Sequence, residues 1–399
     1  MSLKTLVAFY LVVLFSINAT AQNWQQIADF PSTERDDGTN FVIGNYAYCG
    51  TGLQVGWSTA RDFYRFNFND DSWDTIAAMP VGAERQYACA FSYNSLGYIF
   101  GGYNSYSLND LWQYNPQSNS WIQKASKPGI GLSGEACFVI NDKVFFVGGN
   151  NGGSSIYNTV WQYDITNDAW LQKNNFPLSG SWRASATAFN NKGYLLFGRD
   201  SIGNYNKQLY EYNPQTDTWI VLSVFPTQAR IYSSLKAIKN TLVVFAGVDS
   251  LNNYYNNLWY FSFYDSLWYQ GNALTAEGRK GGMCFNSTND LYYTTGIDHQ
   301  DNRLKETWKI SNLIGVAEIE NENTISFFPN PCADKLSVNS NENETVEIEL
   351  LDITGNTVLQ KKFTKNLILD FNEVANGVYL LKMKNKFTAT VKKIVVAHL

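Results

Sequence analysis

Histidine is nearly missing from this 399-residue chain, which carries only His299 and His398. A copper centre built on paired imidazoles therefore lacks its ligands. A serine triad would have His299 alone to recruit in the body of the chain, and no G-x-S-x-G turn presents a nucleophile. Cysteine is scarce too: there are five, with no C-x-x-C pair, which excludes a disulfide scaffold and zinc-ligand spacing. Cys89, Cys137 and Cys284 lie in apolar runs and are expected as buried core thiols, while Cys49 sits in an aromatic run and Cys332 near the C-terminus. Charge is low, at 16% of residues and a formal net of −5, which argues against nucleic acid and anionic membranes as partners. No cofactor and no metal are expected.

Long apolar runs are also lacking, with one exception at the start. Lys4, the stretch Leu6 to Phe15 and the small residues Ala19-Thr20-Ala21 read as a secretory signal peptide over residues 1–21, too short to span a bilayer. The rest is expected to be soluble or surface-attached, without a membrane span.

The remainder is dominated by a repeat. Trp24, Trp73, Trp121, Trp170, Trp219 and Trp268 fall at intervals of 49, 48, 49, 49 and 49 residues, so one unit has been copied. Tyr64, Trp112, Trp161, Tyr210, Trp259 and Trp308 keep the same period. The second copy is the clearest. Tyr87 to Phe91 leads to a turn at Asn94-Ser95, then Tyr98-Ile99-Phe100 ends at Gly101-Gly102. Leu111 to Tyr114, the turn Asn115 to Asn119, and Trp121-Ile122 complete it. Four short β-rich runs separated by turn residues predict a four-stranded antiparallel sheet, and 3.6-residue periodicity is absent. Radial copies of such a sheet form a β-propeller.

The conjunction of Gly101-Gly102, Trp112-Gln113-Tyr114 and Trp121, repeated at Gly148-Gly149, Trp161-Gln162-Tyr163 and Trp170, resembles the kelch motif. The resemblance covers residues 22 to about 310 and implies an all-β, six-bladed propeller over 22–312. The last copy lacks a fourth strand and Trp24 to Pro31 is an orphan one, so pairing the two is expected to close the ring.

From Ala317 to Asn323 the chain is polar and acidic, an expected linker over 313–324. Alternating segments then suit a small β-sandwich over 325–399 of about seven strands. Phe328-Pro329-Asn330-Pro331, Leu336-Ser337-Val338, Asp352-Ile353-Thr354-Gly355, Asn376 to Leu381 and the terminal Lys392-Lys393-Ile394-Val395-Val396 resemble the type A C-terminal sorting domain of the type IX secretion system. That resemblance implies export to the outer-membrane surface of a Gram-negative bacterium, or release from it, with residues 325–399 engaging the secretion machinery.

Alternation along a four-stranded blade puts the segments before strand one and the loops after the glycines on one face. That face is the expected binding surface for a glycan or an extracellular protein, with the protein as a monomer. Trp57 and Trp182 fall outside the repeat positions and could stack on a sugar or simply cover loops. Arg35, Arg85, Arg183, Arg230 and Arg279 recur near the axis, with Glu135 near the missing sixth place, and the arginines could hold an anion or brace neighbouring carbonyls. Tyr103 leads the aromatic, Asn-rich loop of the second copy. Asp62, Asp110, Asp164 and Asp265 are expected to cap turns. Secreted kelch propellers include the N-acetylneuraminate epimerases, and a resemblance of architecture and secretion implies an alternative sugar isomerase. There an arginine would hold a carboxylate, and Glu135 or His299 would move protons.

Overall fold

The structure, a computed structural model, describes residues 23–313, 325–340, 345–352, 355–384 and 389–398. The expected signal peptide and residues 314–324 of the expected linker lie outside the described residues, as do Ile353 and Thr354 of the sorting motif. The chain divides into two compact units, residues 1–316 and 317–399.

Six four-stranded antiparallel sheets are described in the first unit. The second is typical: Cys89–Tyr93, Leu96–Phe100, Leu111–Asn115 and Ser120–Lys124 pair in chain order. Its first turn uses Asn94 and Ser95 at φ of 46° and 61°, the type I′ geometry whose twist matches the flanking strands. The first sheet begins at Thr39, the third at Ala136, the fourth at Ser185, the fifth at Ser234 and the sixth at Met283. The sixth takes its outer strand from the other end of the unit: Trp24–Ile27 pairs antiparallel with Thr307–Ile310. The expected closure is therefore present. Leu313, placed at the start of the linker by sequence, is buried in the core of this seam beside Trp24 and Ile310.

The periodic tryptophans join neighbouring sheets. The indole N–H groups of Trp73, Trp121 and Trp170 donate to the carbonyls of Ala28, Ala77 and Ala125 at the exit of the preceding sheet. Trp24 does the same across the seam, to Asn272. The rings of Trp73, Trp121 and Trp170 are also packed against aromatics of both sheets, as Trp121 is against Phe63 and Tyr114.

A second set of bonds runs around the axis. The glycine ending each second strand donates its N–H to the next sheet: Gly52 to Arg85, Gly102 to Leu132, Gly149 to Ser181, Gly198 to Arg230, Gly247 to Arg279 and Gly296 to Arg35. These glycines have φ near +100°, a conformation L side chains resist. Two residues further on, Asp37, Tyr87, Gly134, Arg183, Tyr232 and Gly281 are all left-handed, with φ between 57° and 68°. Five bonds chain them into a hub, Asp37 to Gly281, Tyr87 to Asp37, Gly134 to Tyr87, Arg183 to Gly134 and Tyr232 to Arg183.

The second unit is a sandwich of a three-stranded sheet (Ile325–Phe328, Lys335–Ser340, Asn366–Asp370) and a four-stranded one (Val346–Leu351, Thr357–Phe363, Gly377–Lys384, Ala389–Val396). Cys332, Leu336, Val338, Ile348, Leu350, Phe371 and Ile394 fill its core. Among the described residues no helix is long and apolar enough to cross a membrane.

Candidate functional site

The two axial sets of bonds separate the predicted arginines into two kinds. Arg35, Arg85, Arg230 and Arg279 occupy one repeat position, with Leu132 and Ser181 in the remaining two places. Arg35 grips Asp62 bidentately at 2.6 and 2.9 Å, and Arg85 grips Asp110 at 2.8 and 2.9 Å. Arg279 pairs with Glu306 at 3.0 Å, and Arg230 donates to Asn257 at 2.8 Å. All four are buried and bond to partners of their own sheet, so they do not converge with Arg183 on the axis. Asp62 and Asp110, expected to cap turns, are instead the carboxylates of these braces. Burial raises both acids, but the arginines override it and hold them below the ordinary carboxylate range. Asp164 and Asp265 do cap turns, at Thr166 and Leu267.

Arg183 belongs to the hub. Its guanidinium lies between the rings of Tyr87 and Tyr232, 3.5 and 3.8 Å from their centroids, and pairs with Asp37 across the axis at 3.2 Å. Gly134 and Gly281, without side chains, make room for this plug. Burial drives the Asp37 carboxyl well above its usual range, against the pull of Arg183. Burial likewise lifts Tyr87 to about 12.

Around the plug the loop face forms a cup. Asp36 pairs with Arg303 at 2.7 Å, and Arg303 lies under the Trp57 ring at 4.7 Å. Lys280 faces Tyr232 and Tyr254. Trp182, paired through its backbone with Arg199, covers Arg183 at 4.4 Å. Tyr103 pairs with Gln86 through both backbone bonds. Five of the fifteen buried side-chain polar atoms without a hydrogen-bond partner among the described residues lie here: Gln86 Oε1, Ser181 Oγ, Trp182 Nε1, Arg183 Nε and Arg199 Nε. Buried polar atoms are ordinarily satisfied, so these five are open to solvent or a ligand.

The rim hairpins share one geometry in four sheets. In Gln54–Ser58, Asp200–Asn204, Asp249–Asn253 and Asp298–Asn302, the first residue bonds the fifth, and the fourth donates back to the first. That fourth residue is left-handed in each: Gly203, Asn252, Asp301 and Trp57 at φ of +65°. Gly, Asn and Asp are the types that tolerate this region, whereas a tryptophan there is strained. Trp57 is also 77% exposed. Tyr106, Ile202 and Leu251 are exposed at the tips of the second, fourth and fifth loops. The third and sixth tips instead carry Gly152-Gly153 and Gln300. Since those two sheets oppose one another in the ring, the exposed apolar tips fall in two opposed pairs.

The third sheet departs from the others in its interior. Lys127 is buried where the other sheets place Phe30, Met79, Phe176, Phe225 and Leu274, as the shared backbone bonds show. Its Nζ donates to the Ile130 carbonyl at 3.1 Å. Glu135 follows the hub glycine, where the other sheets have Gly38, Ala88, Ala184, Ser233 and Gly282. A methyl on Gly149 would come within 2.6 Å of Glu135 Cγ, so that glycine makes its space. Burial pushes the Glu135 carboxyl up to about 7, with Lys127 pulling the other way. Glu135 is thus not the counterpart of the brace arginines, whose place in this sheet is Leu132. His299 is half exposed on its hairpin, its Nδ1 2.9 Å from Glu277 Oε2.

The sequence reading missed Asp36, Asp37, Tyr87, Arg199, Tyr232, Lys280 and Arg303. The available signal was the place two residues past each brace position, where hub residues recur. Among the described residues no group of acids, cysteines and histidines could hold a metal. A pocket of about 260 Å³ on the opposite face, lined by Asn141, Asp142, Lys143, Gln162 and Gln215 among others, includes none of the predicted site residues.

The Attractin/LZTR1 beta-propeller model matches residues 46–248, just over half of the chain. The chain belongs to the Attractin/LZTR1 beta-propeller family. The secretion system C-terminal sorting domain matches residues 326–397, so this family member carries an export address and is directed to the cell surface or beyond. N-acetylneuraminate epimerase of Haemophilus influenzae (strain PittEE) is 32% identical over 163 residues, 39% of this chain and 40% of the relative. The Shigella flexneri enzyme of the same name is 33% identical over 129 residues, 30% of this chain and 33% of the relative. The chain thus spans two fifths or less of these curated relatives. The solved structure of YjhT superposes with a TM-score of 0.60 over 70% of this chain and 95% of that one, at 19% identity, a likeness of fold.

Proposed function

We propose that this exported propeller binds a carbohydrate in the cup on its loop face. The observation that carries the reading is Trp57, held exposed in a left-handed conformation and backed by the Arg303–Asp36 pair. Strain maintained at an exposed aromatic points to use of that ring. An indole face stacks on the apolar face of a pyranose, while unsatisfied donors on Trp182, Arg183 and Arg199 suit its hydroxyl or acidic groups. The leader of residues 1–21 and the tail deliver it through a Gram-negative envelope, and it acts as a monomer. A glycan array probed with the purified protein is expected to give signals that Trp57→Ala abolishes. Equal signals from both proteins would refute the reading, and a blank array would favour a protein partner.

A second reading is anomer exchange of N-acetylneuraminate, favoured by the names of the curated relatives and by Glu135, poised near neutrality beside the hub. In that reading Arg183 or another cup cation holds the carboxylate and Glu135 transfers the proton. NMR exchange spectroscopy of the sugar with the protein is expected to show acceleration that Glu135→Gln removes. Unchanged exchange rates would leave binding alone.

A further inference from the structure

We propose that Cys89 and Cys137 are joined as a disulfide between the second and third sheets in the exported protein. Cys89 opens the inner strand of one sheet, and Cys137 is the second residue of the inner strand of the next. Each thiol reaches over the other's strand. Cys89 Sγ donates to the Glu135 carbonyl at 3.1 Å and Cys137 Sγ to the Ala90 carbonyl at 3.5 Å, so each thiol lies against the strand that carries the other. The same inter-sheet place elsewhere in the ring shows that this closeness belongs to the fold. Ser185 reaches the Ser233 carbonyl across the fourth and fifth sheets just as Cys89 reaches that of Glu135, and Ser234 and Cys284 occupy the corresponding pair of positions in the fifth and sixth sheets. At this one place both partners are thiols.

Export takes the chain out of the reducing cytoplasm into the cell envelope, a compartment in which neighbouring thiols are readily oxidised. The oxidant is the disulfide of an envelope thiol oxidoreductase. The Cys137 thiolate, the less buried of the two, attacks one sulfur of that disulfide and expels the other as a thiolate. The Cys89 thiolate then attacks Cys137 Sγ, releasing the oxidoreductase as a dithiol. Two protein thiols lose two electrons and two protons, and the external disulfide gains them. The adjoining Cys137 thiol and burial leave the Cys89 thiol reluctant to ionise in the closed ring, so exchange belongs to the stage at which the sheets are still docking. The product encloses the whole second sheet in a covalent loop and pins the strand Ala136–Ile140 that follows Glu135.

The test is made on the full chain exported to the envelope of a bacterial host. Free thiols are alkylated under denaturing, non-reducing conditions and the digest is mapped. A peptide pair joined through Cys89 and Cys137, with Cys49, Cys284 and Cys332 alkylated, is the expected result. A dithiothreitol-dependent fall in melting temperature of about 5 °C, absent in Cys89→Ala, should accompany it. Alkylation of all five cysteines, or pairing of Cys89 with any other, overturns the proposal. Neither outcome depends on what the cup binds.

Discussion

At the scale of single residues, Trp57 and Glu135 are each out of keeping with their repeat position. Trp57→Gly relieves a left-handed cost of about 1–2 kcal/mol and loses a contact with Arg303 of about 0.5–2 kcal/mol. Its melting temperature should stay within a few degrees of the parent while glycan binding disappears. A collapse in stability would mean that the ring is structural. Glu135 is raised from 4.5 to about 7 by burial. The sign follows from linkage: the favourable protonated form persists below pH 4.5, and its advantage is lost as pH rises through 7. Glu135→Gln should therefore be more stable than the parent at pH 8, by up to about 3 kcal/mol. The two should converge below pH 4.5. Denaturant melts at both pH values decide it, and a gap independent of pH would contradict the shift.

At the scale of elements, three of the four arginine braces are internal ion pairs whose acids are partly wetted. Arg85→Ala strands the Asp110 carboxylate beside a buried void and should cost about 3–5 kcal/mol. Arg85→Met with Asp110→Leu should recover most of that, and a double variant no better than the single would show that hydrogen bonds to the carbonyls dominate. The strands, the turns and the glycine positions were all readable from period and turn chemistry. The grouping of Arg183 with the brace arginines was not. The loop of the second sheet is shorter, so Arg85 meets its acid 25 residues on, whereas Arg35 and Arg279 meet theirs after 27. That offset moved Arg183 and Glu135 into apparent register with positions that Ser181 and Leu132 occupy. Hub residues escaped notice for a different reason: what unites Asp37, Tyr87, Gly134 and Arg183 is a backbone angle, and no shared side-chain chemistry advertises it.

At the scale of the molecule, the seam holds the first unit together. Trp24→Ala removes both the packing against Phe245 and the bond to Asn272, and should lower stability by about 3–5 kcal/mol. Hydrogen exchange should then quicken first in Thr307–Ile310; uniform quickening would deny the seam its role. Ring architecture and closure were legible because one copy lacked a strand and another segment had no partner. The cup was only half legible, since its floor is assembled from residues more than a hundred positions apart, such as Asp37 and Arg183. Those two, with the stacked tyrosines, have a last consequence. The stoppered axle divides the disc into two chemically separate sides, so nothing docked among the turns at Asn141 and Gln215 could be threaded through to the cup. Traffic at each side must enter and leave by the same door.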